Sequence, residues 1–95
     1  RIIMSKFKLF YLQFCPYCQE VFRWIEELKE QYPELNSIDL ELINEREHEE
    51  LSNSLDYYYV PTFYYGDEKL HEGAATKEGV LSVFQQAMDR QSQEH

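Results

Sequence analysis

Cys15 and Cys18 are the only cysteines of the chain, and Pro16-Tyr17 is all that separates them. Two thiols at this spacing can close into a small disulfide and open again if they share one face of a helix, as residues i and i+3 do. Such exchange runs through the thiolate, because thiolate rather than thiol attacks a disulfide sulfur. A helix head favours that anion: its first N–H groups lack intrahelical partners, and the positive end of its dipole lies there. The same sulfurs could bind a metal ion, but two cysteines cannot fill four ligand positions in one chain. A static staple would close only the short loop from Cys15 to Cys18 and stabilise little.

The flanking segments are expected to supply that helix head. Residues 7–14 (Phe-Lys-Leu-Phe-Tyr-Leu-Gln-Phe) are dense in apolar side chains without a breaker and read as a largely buried strand. Pro16 follows where a helix tolerates proline best, in its first turn. Over residues 17–32, Val21, Trp24 (or Phe22), Ile25 and Leu28 recur at helical spacing, with Trp24 expected in the core, and Pro33 ends the helix. Ile38, Leu40 and Leu42 alternate with Asp39 and Glu41, the pattern of a second strand. A polar helix is expected over 45–55, with Leu51 and Leu55 as its apolar pair; its Glu-Arg-Glu-His-Glu-Glu run reads as a solvated face.

Thr62-Phe63-Tyr64-Tyr65, a Gly66-Asp67-Glu68 turn and Lys69-Leu70-His71-Glu72 form a hairpin pattern. Thr76 is a suitable N-cap for a last helix over 77–91, whose Val80, Leu81, Phe84 and Met88 share a face. The order is β-α-β-α-β-β-α. A helical crossover makes the first two strands parallel, and the hairpin completes a mixed four-stranded sheet with helices on both faces.

The length of 95 residues suits one core, hence a single domain over 1–95 without repeat or linker. Eight Tyr, six Phe and one Trp support a packed globule rather than a disordered segment. A net charge of −9 argues against nucleic acid and anionic membrane surfaces as partners. No apolar stretch reaches the roughly 20 residues needed to span a bilayer. Residues 1–4 are too short and mixed for a signal peptide, with Met4 a candidate start. The cysteines are therefore expected as cytoplasmic thiols.

With these features in place, the chain resembles the thioredoxin superfamily, and glutaredoxins in particular. The resemblance spans residues 6–88 and rests on Cys15-Pro16-Tyr17-Cys18 after the first strand, on Val60-Pro61 opening the third, and on Glu72-Gly73 near the Gly-Gly pair of glutaredoxins. It implies a thioredoxin fold and a thiol–disulfide oxidoreductase acting on protein or glutathione mixed disulfides. Cys15 would attack the substrate and Cys18 would resolve the mixed disulfide. Pro16 and Tyr17 would tune the potential towards the glutaredoxin range, about −200 to −230 mV. Tyr17, Val60, cis-Pro61, Gly73 and Thr76 would contact substrate or glutathione.

No tightly bound cofactor or metal is implied. Glutathione would be the reducing co-substrate, disulfide-containing proteins the partners, and a monomer the working form. The chain departs from the glutaredoxin pattern at Leu12, where a Lys or Arg is usual, and at Ala74-Ala75-Thr76, where acidic residues are usual. Phe14 before Cys15 and the Val60-Pro61-Thr62-Phe63 string lean towards thioredoxins, so recharging by a thioredoxin-reductase-like flavoenzyme is the alternative. A metal or iron–sulfur module bridging two chains through Cys15 is a third, disfavoured because such glutaredoxin-like proteins tend to lack a proline beside the first cysteine.

Overall fold

A computed structural model describes residues 6–94; the expectations for residues 1–4 lie outside that range, as does His95. Four strands form one mixed sheet: β1 (Phe7–Tyr11), β2 (Glu41–Asn44), β3 (Thr62–Tyr65) and β4 (Glu68–Glu72), in the order β2-β1-β3-β4. β2 lies parallel to β1, with Leu9 beside Leu42, while β3 runs antiparallel to both β1 and β4. Helices α1 (Pro16–Gln31), α2 (Glu49–Asn53) and α3 (Lys77–Ser92) flank the sheet. No helix among the described residues is long and apolar enough to cross a membrane.

The central strand β1 divides the core by simple alternation. Phe7 and Leu9 face α1 and α3, where Val21, Ile25, Leu28, Val80 and Phe84 close over them. Phe10 faces the opposite side, with Ile43 and Tyr64, against Leu51, Leu55 and Tyr57 around α2. The Phe7 ring meets the Phe84 edge at 5.1 Å between centroids, and Phe10 meets Tyr57 at 5.3 Å. Lys77 Nζ donates to Glu27 at 2.9 Å, tying the start of α3 to α1.

Several sequence-based expectations need correction. The first strand stops at Tyr11, because its neighbours end there: Tyr11 pairs with Asn44, and Phe10 pairs with Thr62 at the start of β3. The chain then turns, and Phe14 stands 89% exposed instead of buried. The second strand, expected over 38–42, is Glu41–Asn44; there Ile43 is buried, while Leu42 lies 50% exposed on the edge strand, in a groove with Phe22 and Ile25 of α1. Trp24 is only partly buried, packed on the outside of the core.

The helix expected over 45–55 shrinks to Glu49–Asn53. Asn44 Oδ1 accepts the Arg46 N–H at 2.9 Å and its carbonyl accepts the Glu47 N–H at 3.0 Å, so a turn forms first. A 3-10 segment at Pro33–Ser37, unforeseen in the sequence, follows α1 and buries Leu35.

Thr76 caps α3 as its sequence position suggests: its hydroxyl accepts the Gly79 N–H at 3.0 Å. Thr76→Ala is expected to cost about 1 kcal/mol in urea unfolding, with Thr76→Ser close to wild type. An Ala variant as stable as the wild type would show that the cap contributes nothing.

Candidate active site

The site is assembled where β1 hands over to α1. Cys15 is the N-cap of α1, with extended backbone (φ −95°, ψ 116°), and Pro16 fills the first helical position. The Cys15 sulfur accepts the Cys18 N–H at 3.3 Å, the place that a Ser or Asp oxygen takes at other helix heads. Gln19 Nε2 donates to the Gln13 carbonyl at 2.9 Å, pinning the turn to the first turn of the helix. Both cysteines are free thiols: Cys15 is half-buried, and Cys18 is fully enclosed.

That difference in exposure separates their chemistry. Burial, followed by its hydrogen bond with Cys15, pushes the Cys18 thiol up to about 12. Cys15 alone of the two presents sulfur to solvent. Phe14, the residue before it, stands 89% exposed, and Tyr17, two residues on, 56%.

The second wall comes from the segment before β3. The Val60–Pro61 peptide is cis, Pro61 is buried, and the Cys15 thiol faces the Val60 carbonyl at 4.0 Å. Cys15, Cys18, Val60 and Pro61 are thus brought together, with Pro16 and Tyr17 on the same helix turn. Gly73 reaches this group through backbone: its N–H donates to the Pro61 carbonyl at 2.8 Å. That donor is therefore occupied and does not stand open for a ligand carboxylate. Gly73 has φ +88°, a left-handed conformation that glycine adopts without a Cβ penalty. The Thr76 hydroxyl is likewise engaged in its cap.

Residues 56–61 lack helix or strand hydrogen bonds and are held by side chains instead. Lys69 Nζ and the Tyr64 hydroxyl donate to the Asp56 carbonyl at 3.1 and 3.0 Å. Glu72 Oε2 accepts the N–H groups of Tyr58 and Tyr59 at 2.6 and 3.0 Å, while Oε1 accepts Lys69 Nζ at 2.6 Å. The Thr62 hydroxyl donates to the Tyr59 carbonyl. The Lys69 ammonium, then the Tyr58 and Tyr59 N–H groups, hold the Glu72 carboxyl down from an ordinary 4.5 to about 2.

Sequence reasoning missed the Glu72 clamp; its only signal was an acidic residue where the resemblance places a glycine. It also missed the groove of about 460 Å³ beside the thiol, lined by Leu12, Gln13, Phe14, Cys15, Asn44 and Arg46. Nothing in the sequence shows that Asn44 and Arg46, some thirty residues downstream, return to Cys15. A larger groove of about 670 Å³ involves Lys6 and Phe7, at the other end of β1 from the cysteines. Among the described residues, no group of three or more His, Cys, Asp or Glu side chains is arranged to hold a metal ion.

No protein-family model matches this chain, and no curated protein matches it in sequence.

Two measurements check the electrostatics. In Cys15→Ser protein, alkylation of Cys18 by iodoacetamide is expected to rise about tenfold per pH unit from 7 to 10, without levelling near 9. A plateau near pH 9 would show an ordinary thiol. Glu72, depressed in the folded state, favours folding above its unfolded value, and this contribution is lost as pH falls from about 4.5 towards 2. The amide resonances of Tyr58 and Tyr59 are therefore expected to titrate near 2; a midpoint near 4.5 would mean that the clamp is not formed in solution.

Proposed function

We propose that this protein is a thiol–disulfide oxidoreductase of glutaredoxin type on a thioredoxin fold, reducing protein or glutathione mixed disulfides through Cys15 and Cys18. The observation that carries the reading is the Cys15 sulfur at the head of α1, accepting the Cys18 N–H at 3.3 Å with the enclosed Cys18 thiol one turn behind. The sheet order β2-β1-β3-β4, with α1 and α3 on one face and α2 on the other, supports the fold assignment.

The reaction runs in two exchanges. The Cys15 thiolate attacks one sulfur of the substrate disulfide; the substrate S–S bond breaks, a mixed disulfide forms, and the departing sulfur takes up a proton. Cys18 then loses its proton and attacks the Cys15 sulfur, which releases the second substrate thiol and leaves a Cys15–Cys18 disulfide. Two electrons and two protons have passed to the substrate. Two molecules of glutathione return the enzyme to the dithiol and leave as glutathione disulfide. Helix-head N–H groups stabilise the attacking anion, while burial keeps Cys18 protonated until the mixed disulfide forms beside it.

Glutathione serves as co-substrate, with no cofactor held tightly. A cytoplasmic monomer fits the reaction, because the Cys15 face must stay open to disulfide-bearing proteins.

A second reading has its own support. Leu12 puts an apolar side chain into the groove at Cys15, Phe14 stands exposed beside it, and the Gly73 N–H is already taken by Pro61. Among the described residues, Arg46 is then the one cation lining the groove that could hold an anionic tripeptide, which favours recharging by a thioredoxin-reductase-like flavoenzyme.

Cys18→Ser protein tests the two against each other. Supplied with glutathione and glutathione reductase, it is expected to reduce a small glutathione mixed disulfide at a rate near wild type, since that reaction needs Cys15 alone and a glutathione site. No turnover by folded Cys18→Ser protein, when the wild type still reduces insulin with dithiothreitol, would reject glutathione in favour of the flavoenzyme. Failure of the wild type with insulin as well would reject the oxidoreductase.

A further inference from the structure

Four of the six large apolar side chains that stand exposed among the described residues belong to the two segments that meet at Cys15. Phe14 and Tyr17 bracket the first cysteine, while Tyr58 (85% exposed) and Tyr59 (70%) lead into Val60-Pro61. Exposed rings scattered singly need no explanation, but exposed rings concentrated on the two segments that meet at one thiol mark a contact surface. Tyr58 and Tyr59 are exposed although their backbone is tightly held, with both N–H groups ending on one carboxylate oxygen of Glu72. Glu72 lies on β4, where its other oxygen pairs with Lys69. One ion pair at the edge of the sheet therefore fixes the backbone of the loop that carries the rings.

We propose that Glu72 is a positioning residue for substrate: through the Tyr58–Tyr59 backbone it sets the Val60 carbonyl against Cys15 and holds the two rings to receive an extended polypeptide with apolar side chains beside its cysteine. This rests on the oxidoreductase reading and specifies its substrate class. The argument for a polypeptide comes from what the loop leaves free. Glu72 consumes the Tyr58 and Tyr59 N–H groups, so a partner finds aromatic rings there rather than donors. The rings stand on both segments that meet at the sulfur, so the apolar groups that cover them must extend beyond the partner's disulfide itself. A small hydroxylated disulfide has no such flanks and meets the sulfur alone. Aromatic side chains suit the task because they offer large contact areas with few rotatable bonds to freeze.

The test compares two disulfides in single turnovers. Pre-reduced protein is mixed with excess insulin or excess bis(2-hydroxyethyl) disulfide, and loss of free Cys15 and Cys18 is followed by quenching, alkylation and mass spectrometry. Glu72→Ala is expected to slow the insulin reaction about tenfold and the small disulfide less than about twofold, since a charge-assisted pair of hydrogen bonds is lost from the loop and not from the sulfur. Glu72→Gln keeps an oxygen for the two N–H groups and is expected to recover most of the insulin rate, a rescue that a merely destabilised fold would not show. Should Glu72→Ala fail to fold, Tyr58→Ala/Tyr59→Ala carries the same prediction, because it removes the rings and leaves the clamp. Equal slowing with both disulfides, or an unchanged insulin rate, would overturn the proposal. A wild type that oxidises with neither disulfide overturns the redox reading itself, and is told apart from failure of the positioning role because no variant is needed to see it.

Discussion

Everything in this molecule turns on a sulfur serving as the cap of a helix. The first N–H groups of α1 need acceptors from outside the helix, and the acceptor for Cys18 N–H is Cys15 Sγ at 3.3 Å. Sulfur is a weaker acceptor than the oxygen usual at an N-cap, so the helix head keeps part of its positive potential. The helix is secured by other means. Val21, Ile25 and Leu28 bury one stripe against β1 and α3, and Lys77 bonds Glu27 near the start of α3. An incompletely satisfied head on a firmly docked helix is the combination that a nucleophilic thiolate needs under the proposed function. An oxygen cap would satisfy the helix better and supply no thiol.

The opposite wall of the site obeys a different economy. Residues 56–61 belong to no helix or strand, yet they carry the Val60 carbonyl that faces Cys15, where imprecise placement would be costly under the proposed function. The sheet provides the precision. β3 and β4 contribute Tyr64, Lys69 and Glu72 to the backbone of Asp56, Tyr58 and Tyr59, and the Gly73 N–H closes on Pro61. A loop held by side chains from a rigid hairpin can keep a defined shape and still expose its own side chains. This explains how Tyr58 and Tyr59 stand in solvent on fixed backbone, while the neighbouring Tyr64 and Tyr65 are 3% and 8% exposed.

Much of this was legible in the sequence, for identifiable reasons. The helices α1 and α3 announce themselves through local signals, a proline in the first turn for one and the Thr76 cap for the other, joined to long apolar periodicity. The hairpin follows from the Gly66-Asp67 turn between the aromatic Thr62–Tyr65 run and the mixed segment that ends at Glu72. Errors arose where the deciding partner is remote in sequence. The apolar run through Phe14 reads as continuous strand, but pairing with Asn44 and Thr62 ends it at Tyr11. Asn44, rather than any local helix breaker, delayed α2, because its side chain offers a competing turn. Cys15 and Cys18 were visible because only two residues separate them in the chain. Glu72 was not, because a carboxylate acting on N–H groups thirteen and fourteen residues earlier leaves no pattern in either segment.

The charge pattern ties these threads together. The chain carries a net charge of −9, and the residue that lines the groove three positions before Cys15 is Leu12 rather than a cation. Under the proposed function, the thiolate then draws on the N–H groups at the helix head, which are fixed in direction and need no counter-ion, with Arg46 as the one cation among the described residues that lines its groove. Fixed dipoles act over short range and hold the sulfur without drawing in anionic partners from a distance. Selection of substrate therefore falls to groups that contact it directly. The exposed rings at Phe14, Tyr17, Tyr58 and Tyr59 are the groups so placed. Their apolar contacts are weakened little by salt, whereas recognition through a lysine beside the sulfur would fade as ionic strength rises. A thiolate held by a helix end and a surface formed of aromatic rings go together with Leu12 three positions before Cys15, in a groove lined by Arg46, a cation remote in sequence.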